Sequence, residues 1–219
     1  YNVFSGGRIE RYKDNRILFS IGYSGLDKVA QKKDSLLGKI ISIDKETGIH
    51  ELVSLGHRNP QGLFYDKSKN LIFNTEHGPK GGDELNVNDL KNTLPNFGWD
   101  IASYGSPYKG EDNFKKSHKD FGFVEPFKNY TPSIGISEVV YLPREINPIS
   151  GKSIIFISSL RAGSIYMIET DKSIKKILTE DRLFFKEQRI RDIEYDDELK
   201  LFLVLFEYTP SIGTIKYVS

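Results

Sequence analysis

"RIERYKDNRILFSI", residues 8–21, sets Ile9 eight residues before Ile17. The stretch reads as strand, polar turn, strand. The same unit recurs in "GLFYDKSKNLIFNT" (62–75), with Leu63 eight before Leu71, and in "DIEYDDELKLFLVL" (192–205), with Ile193 eight before Leu201. "GKIISI" (38–43), "GSIYMI" (163–168) and "GTIKYV" (213–218) read as a third strand of such a unit. Short antiparallel sheets in series, about four of them at roughly 50 residues each, predict an all-β β-propeller, with a β-sandwich as the alternative architecture.

The apolar runs are short and rich in β-branched and aromatic residues: "RILFSI" (16–21), "KIISI" (39–43), "NLIFNT" (70–75), "SEVVYL" (137–142), "SIIFIS" (153–158), "SIYMIE" (164–169), "LFLVLF" (201–206) and "TIKYV" (214–218). Gly, Asp, Asn, Lys or Pro bounds most of them, as strand ends require. The stretch "DLKNTLPNFG" has room for one helical turn before Pro95. Residues 88–130 are the least regular part and read as a long functional or partner-facing excursion.

Composition narrows the function classes. Hydrophobic residues are 38% and charged residues 28% of the 219, so a packed core is expected rather than disorder. With 31 basic and 30 acidic residues the net charge is +1, which offers no basic field for nucleic acid. Cysteine is absent, which excludes disulfides, thiolate metal sites and cysteine nucleophiles. No apolar run approaches the roughly 20 residues of a membrane helix.

Four polar groups fall at expected strand ends. Arg58-Asn59 precedes a strand, and the planar guanidinium fork suits carboxylates. Gly78-Pro79, followed by Asp83-Glu84, offers backbone carbonyls and carboxylates of the kind hard cations take. Arg161 follows "SSL". Arg189 and Arg191 stand two apart in an extended run, so both aim at one place, where a carboxylate or other anion would have to separate them. The bland alternatives are a surface arginine, a tight turn and a charged edge strand. His50, His57, His77 and His118 show no metal-ligand spacing, and no nucleophilic triad or phosphate loop stands out.

Taken together, "LGHRNPQGL" (55–63), "EHGPKGGDELN" (76–86), "NFGW" (96–99), "YTPSIG" (130–135), "SSLRAGSIYMI" (158–168) and "RIRDI" (189–193) resemble the soluble quinoprotein glucose/sorbosone dehydrogenases, in particular the aldose sugar dehydrogenase branch. The resemblance implies a six-bladed propeller that binds pyrroloquinoline quinone (PQQ) and calcium. It implies that Arg58 and Asn59 contact the quinone, and that the carbonyls of Gly78 and Pro79 ligate the calcium. Ser133 and Arg161 would lie beside the cofactor, and Arg189 and Arg191 would hold its carboxylates. The family oxidises the C1 hydroxyl of a sugar to a lactone, passing electrons onward to an acceptor, in a periplasmic or secreted setting. Calcium acts there as a Lewis acid and the cofactor carries the redox chemistry.

Two departures stand beside this likeness. The family's basic histidine precedes a Gly-Arg stretch, and here "VFSGGR" puts Phe4, or Ser5 with a one-residue shift, in its place. Neither side chain is a useful base near neutrality. The Asp that orients the histidine corresponds to Tyr23 in "GYSG". The likeness also starts about a third of the way into the family domain, so residues 1–219 read as a single partial propeller domain of about four blades, the other blades missing. The expectations are therefore PQQ-dependent sugar oxidation, a non-catalytic propeller of the same family that binds a ligand or protein, or an adhesion propeller without a cofactor.

Overall fold

The computed structural model describes residues 5–91, 94–108, 114–142, 147 and 151–216. Among these the chain is all-β and forms four blade-like antiparallel sheets, each in simple meander order. The first contains β1 (Gly6–Tyr12), β2 (Arg16–Ile21), β3 (Lys39–Asp44) and β4 (His50–Leu55). The second contains β5 (Pro60–Asp66), β6 (Leu71–Glu76), β7 (Asp83–Asp89) and β8 (Lys128–Tyr130). The third holds β9 (Ile136–Tyr141), β10 (Lys152–Ser159), β11 (Ser164–Asp171) and β12 (Ile177–Phe184). The fourth has β13 (Ile190–Asp196), β14 (Leu201–Phe206) and β15 (Ser211–Ile215). The chain divides into two compact units, Tyr1–Ser133 and Ile134–Ser219.

The recurring strand–turn–strand unit has a local cause. Asp66 accepts the backbone N–H groups of Ser68 and Lys69, and Asp196 those of Glu198 and Leu199. Asp44 accepts those of Glu46 and Thr47 in the same way. An aspartate that ends a strand thus folds the next residues into a turn and reverses the chain. Alternation then sorts the side chains. In the first unit Tyr12, Leu18, Ile40, Leu63 and Ile72 form one core. In the second, Val140, Ile154, Phe156, Ile193 and Phe202 belong to a larger one.

The expected strands over 16–21 and 201–206 match β2 and β14 to the residue. The expected strand at 214–218 is met in part: β15 runs Ser211–Ile215 and pairs with β14 from Phe206 backward, and residues 217–218 lie outside the described residues. The stretch "DLKNTLPNFG" contains no helical turn among its described residues; short 3-10 turns occur instead at Val29–Gln31 and Lys119–Phe121. Four strands, β4, β7, β8 and β12, have no counterpart in the sequence reading. β7 turns Glu84, Asn86 and Asn88 inward, inverting the usual pattern, and β12 is almost wholly exposed, so neither shows an apolar run.

Candidate functional site

The loop between β4 and β5 carries "GHRN", and four side chains behind it lock it in place. His57 Nδ1 lies 3.0 Å from Glu76 Oε1, and its Nε2 lies 2.7 Å from Ser54 Oγ. The other Glu76 oxygen accepts the backbone N–H of Arg58 at 2.7 Å, and Asn86 Nδ2 donates to Oε1 at 2.8 Å. Every one of these residues is buried. The Ser54–His57–Glu76 order resembles a nucleophilic triad, but a fully buried Ser54 cannot meet a substrate. Its role is to hold the main chain at Arg58.

Glu84 is paired across the sheet with Glu76, and Asn86 Nδ2 donates to it as well, at 3.2 Å. Burial, followed by the neighbouring Glu76 charge, pushes the Glu84 carboxyl well above the carboxylate range. Burial also pushes Glu76 up, but the charge and hydrogen bond of His57 and the Arg58 N–H outweigh it and hold Glu76 low. The two carboxyls are thus shifted in opposite directions, Glu76 down and Glu84 up. A group whose proton is held more tightly in the folded state stabilises the fold fully at low pH and loses that contribution as pH rises toward its folded value. Glu84→Gln should therefore become more stable than the parent as pH increases from 4.5, the ordinary glutamate value. The gap should widen by about 1.4 kcal/mol per pH unit in urea denaturation, until the folded value is passed.

Arg58 is 3% exposed. Its Nη1 donates to the carbonyl of His77 at 3.1 Å, its carbonyl accepts the N–H of Tyr23 at 3.0 Å, and its guanidinium lies 5.2 Å from the centre of the Trp99 ring. Tyr23 meets Trp99 edge-on at 5.3 Å. These side chains, with Phe114, Tyr108 and Lys28, line an open cleft of about 460 Å³. Gln31 holds the Trp99 segment by donating to the Trp99 carbonyl and accepting from Asn96 Nδ2 at 2.7 Å. Asn59 Oδ1 accepts the N–H of Gly6 at 3.2 Å and Gln61 Nε2 at 3.1 Å, so the "SGGR" stretch is stitched beside the arginine loop.

Gly78-Pro79 opens a tight loop between β6 and β7. A side chain at Gly78 would strike the carbonyls of Gly81 and Gly82, at 2.1 and 2.4 Å from its first carbon, so only glycine fits. The loop is held on its flanks by Lys80 and Ser106, which exchange backbone bonds, and by Gly82 N–H, which donates to the Tyr130 carbonyl at 2.8 Å. The buried Asp83 accepts the Gly78 N–H at 3.1 Å and the Ser133 hydroxyl at 2.6 Å. The Pro79 carbonyl accepts the Tyr108 hydroxyl at 3.2 Å. Among the described residues no group of three or more His, Asp or Glu side chains is arranged to hold a metal.

In the second unit Arg161 is exposed, after a turn in which its N–H donates to the Ile134 carbonyl at 3.0 Å. Arg189 Nε and Arg191 Nη2 both reach Glu207 Oε2, at 3.1 and 3.0 Å. The β13–β14 register shifts between Ile190 and Asp192, yet the two guanidinium groups still converge on one carboxylate. Burial opposes ionisation of Glu207, but the two arginines hold its carboxyl below the usual range.

The structure therefore brings Arg58, Asn59, Gly78, Pro79 and Ser133 into one connected scaffold in the first unit, and Arg189 and Arg191 onto one anion in the second. Phe4 lies outside the described residues; the exposed Ser5 gives its carbonyl to Gly22 N–H at 2.8 Å. Tyr23 sits in the cleft wall. The sequence reading did not single out Trp99 or Glu76, although each lies within a quoted motif, "NFGW" and "EHGPKGGDELN"; it named Asp83 among carboxylates of the kind hard cations take, and the structure has Asp83 accept from Gly78 and Ser133.

A family model described as Glucose / Sorbosone dehydrogenase matches residues 2–209. The chain belongs to this family. Aldose sugar dehydrogenase YliI of Escherichia coli strain K12 is a similar sequence, 27% identical over 232 residues that cover 98% of this chain and 59% of the relative. A crystal structure of a glucose dehydrogenase superposes with a TM-score of 0.81 at 25% identity, covering 98% of this chain and 64% of the other. The PQQ-bound form of an aldose sugar dehydrogenase from Streptomyces coelicolor matches in fold, with a TM-score of 0.66 at 22% identity, over 92% of this chain and 55% of that one. The chain spans 50 to 59% of the length of the curated relatives it matches. No helix among the described residues is long and apolar enough to cross a membrane.

Proposed function

We propose that this chain forms the cofactor-holding part of a periplasmic or secreted PQQ-dependent sugar dehydrogenase that oxidises an aldose to its lactone with calcium as the assisting cation. The observation that carries the reading is Arg58: a buried arginine fixed through its own N–H, carbonyl and guanidinium on the wall of an aromatic cleft. Such fixation is costly for a surface residue and useful for one that must meet a planar anion.

The residues present fit the group. That Arg189 and Arg191 both bond the Glu207 carboxylate supports a carboxylate-holding fork, and backbone carbonyls such as those of Gly78 and Pro79 suit a hard cation. In this reading Arg58 and Asn59 bind the quinone edge, Ser133 offers a hydroxyl, and Arg161, Arg189 and Arg191 bind carboxylates. When bound, the cofactor supplies the hydride acceptor and the calcium polarises its carbonyls. The chain's own residues orient it, and the Trp99, Tyr23 and Phe114 rings shield one side of the cleft from water.

Reconstitution with PQQ and calcium, followed by an aldose-dependent dye assay, tests the proposal; no turnover would count against it. Arg58→Ala should weaken PQQ binding by roughly 10- to 100-fold, the worth of one charge-assisted bond, as read by fluorescence quenching or by loss of a PQQ-dependent thermal shift. Tyr23 favours a second reading. A phenol packed edge-on against Trp99 replaces the carboxylate that would orient a base, which suits a family member that binds its ligand without oxidising sugar. Tight PQQ binding without dye reduction would select that reading.

A further inference from the structure

Two motifs far apart in the chain share one carboxylate. Asp83 is fully buried at the start of β7. One oxygen takes the Gly78 N–H at 3.1 Å, and the other takes the Ser133 hydroxyl, 50 residues away, at 2.6 Å. His77 Nδ1 stands 3.9 Å from it. The N–H of Gly78 belongs to the peptide unit just before the Gly78 carbonyl, so anchoring it limits rotation of the turn that presents the Gly78 and Pro79 oxygens. The bond to Ser133 fixes the direction of a hydroxyl that would otherwise rotate freely.

We propose that Asp83 is a positioning residue that sets the Gly78–Pro79 carbonyls and the Ser133 hydroxyl in register as one oxygen-rich edge for a hard divalent cation and its anionic ligand. The inference rests on the cofactor reading above. Asp83 acts through the oxygens it orients and does not itself touch the cation, as partners behind a metal's ligands commonly do.

The full chain carrying Asp83→Asn tests this in two ways. In the ligand-free protein, hydrogen exchange at the Gly78 amide should accelerate at least about tenfold while amides within β6 keep their protection, because the amide loses its charged acceptor. Calorimetric titration with calcium in the presence of PQQ should show affinity about 10- to 100-fold weaker. Ser133→Ala removes only one arm and should weaken calcium by a smaller factor with Gly78 exchange unchanged. Unchanged Gly78 exchange in folded Asp83→Asn overturns the proposal, and so does unchanged calcium affinity. If Asp83→Asn does not fold, Ser133→Ala decides: calcium affinity equal to the parent overturns the proposal. If the parent binds neither calcium nor PQQ, the cofactor reading fails, and the exchange measurement alone decides whether Asp83 fixes the turn.

Discussion

Glu76→Leu should destabilise the chain by about 2–6 kcal/mol, since two buried donors lose their acceptor at about 1–3 kcal/mol each. The carboxylate satisfies three groups at once: His57 Nδ1, the Arg58 N–H and Asn86 Nδ2. Leucine fills the space and leaves His57 Nδ1 and the Arg58 N–H without this acceptor in a site that excludes water, while Asn86 Nδ2 keeps its bond to Glu84. Urea denaturation at neutral pH measures the loss. The pairwise change Glu76→Leu with His57→Phe should recover part of it, since the imidazole is then no longer stranded, while the Arg58 N–H stays unmet. A loss below about 1 kcal/mol would mean that the network does not hold the loop. The folded Glu76 carboxyl titrates below its ordinary value, so its contribution is present above about pH 4.5 and is lost as acid reaches the lower folded value.

Lys39→Met should cost about 3 kcal/mol, because three backbone acceptors lose a charged donor. Lys39 opens β3, is 0% exposed, and donates from Nζ to the carbonyls of Leu37 at 2.7 Å, Ala30 at 2.9 Å and Val29 at 3.3 Å. Methionine keeps the stem and removes only the ammonium. The residues so tied follow directly on the loop that carries Tyr23 and Lys28 into the cleft wall, so the variant should loosen that wall as well. Burial pushes the Lys39 amine down to about 8 from 10.5. Between those values the folded chain holds fewer protons than the unfolded one, so the parent gains stability from this group as pH rises. The deficit of Lys39→Met should then widen between pH 8 and pH 10, as read by parallel denaturant titrations of the two proteins.

The sheets were legible where one face is apolar. "RILFSI" and "LFLVLF" are strands end to end, and the aspartates that close β5 and β13 gave the repeat its turn. β7 was hidden because its inward side chains are Glu84, Asn86 and Asn88, which satisfy or confront other polar groups instead of packing. Lys39 at the head of "KIISI" reads as a solvent-facing charge, and only the three carbonyls curled around it make burial tolerable. The loop positions of Arg58, Gly78 and Pro79 were legible, because motifs carry them. The roles of Glu76 and Asp83 were not, because their partners are main-chain N–H groups and a hydroxyl brought close only by folding, 18 residues away for Arg58 and 50 for Ser133. Side-chain identity alone carries no signal for such bonds.

The first unit buries Ser54, His57, Asn74, Glu76, Glu84, Asn86 and Asn88 beside its apolar core and so differs in thermal character from the second, whose buried polar side chains among the described residues are hydroxyls and Glu138. Exposing polar groups on unfolding subtracts from the heat-capacity increment that apolar groups add. The first unit should therefore have the flatter stability curve and resist cold better, while the second draws more of its strength from warmth-dependent hydration.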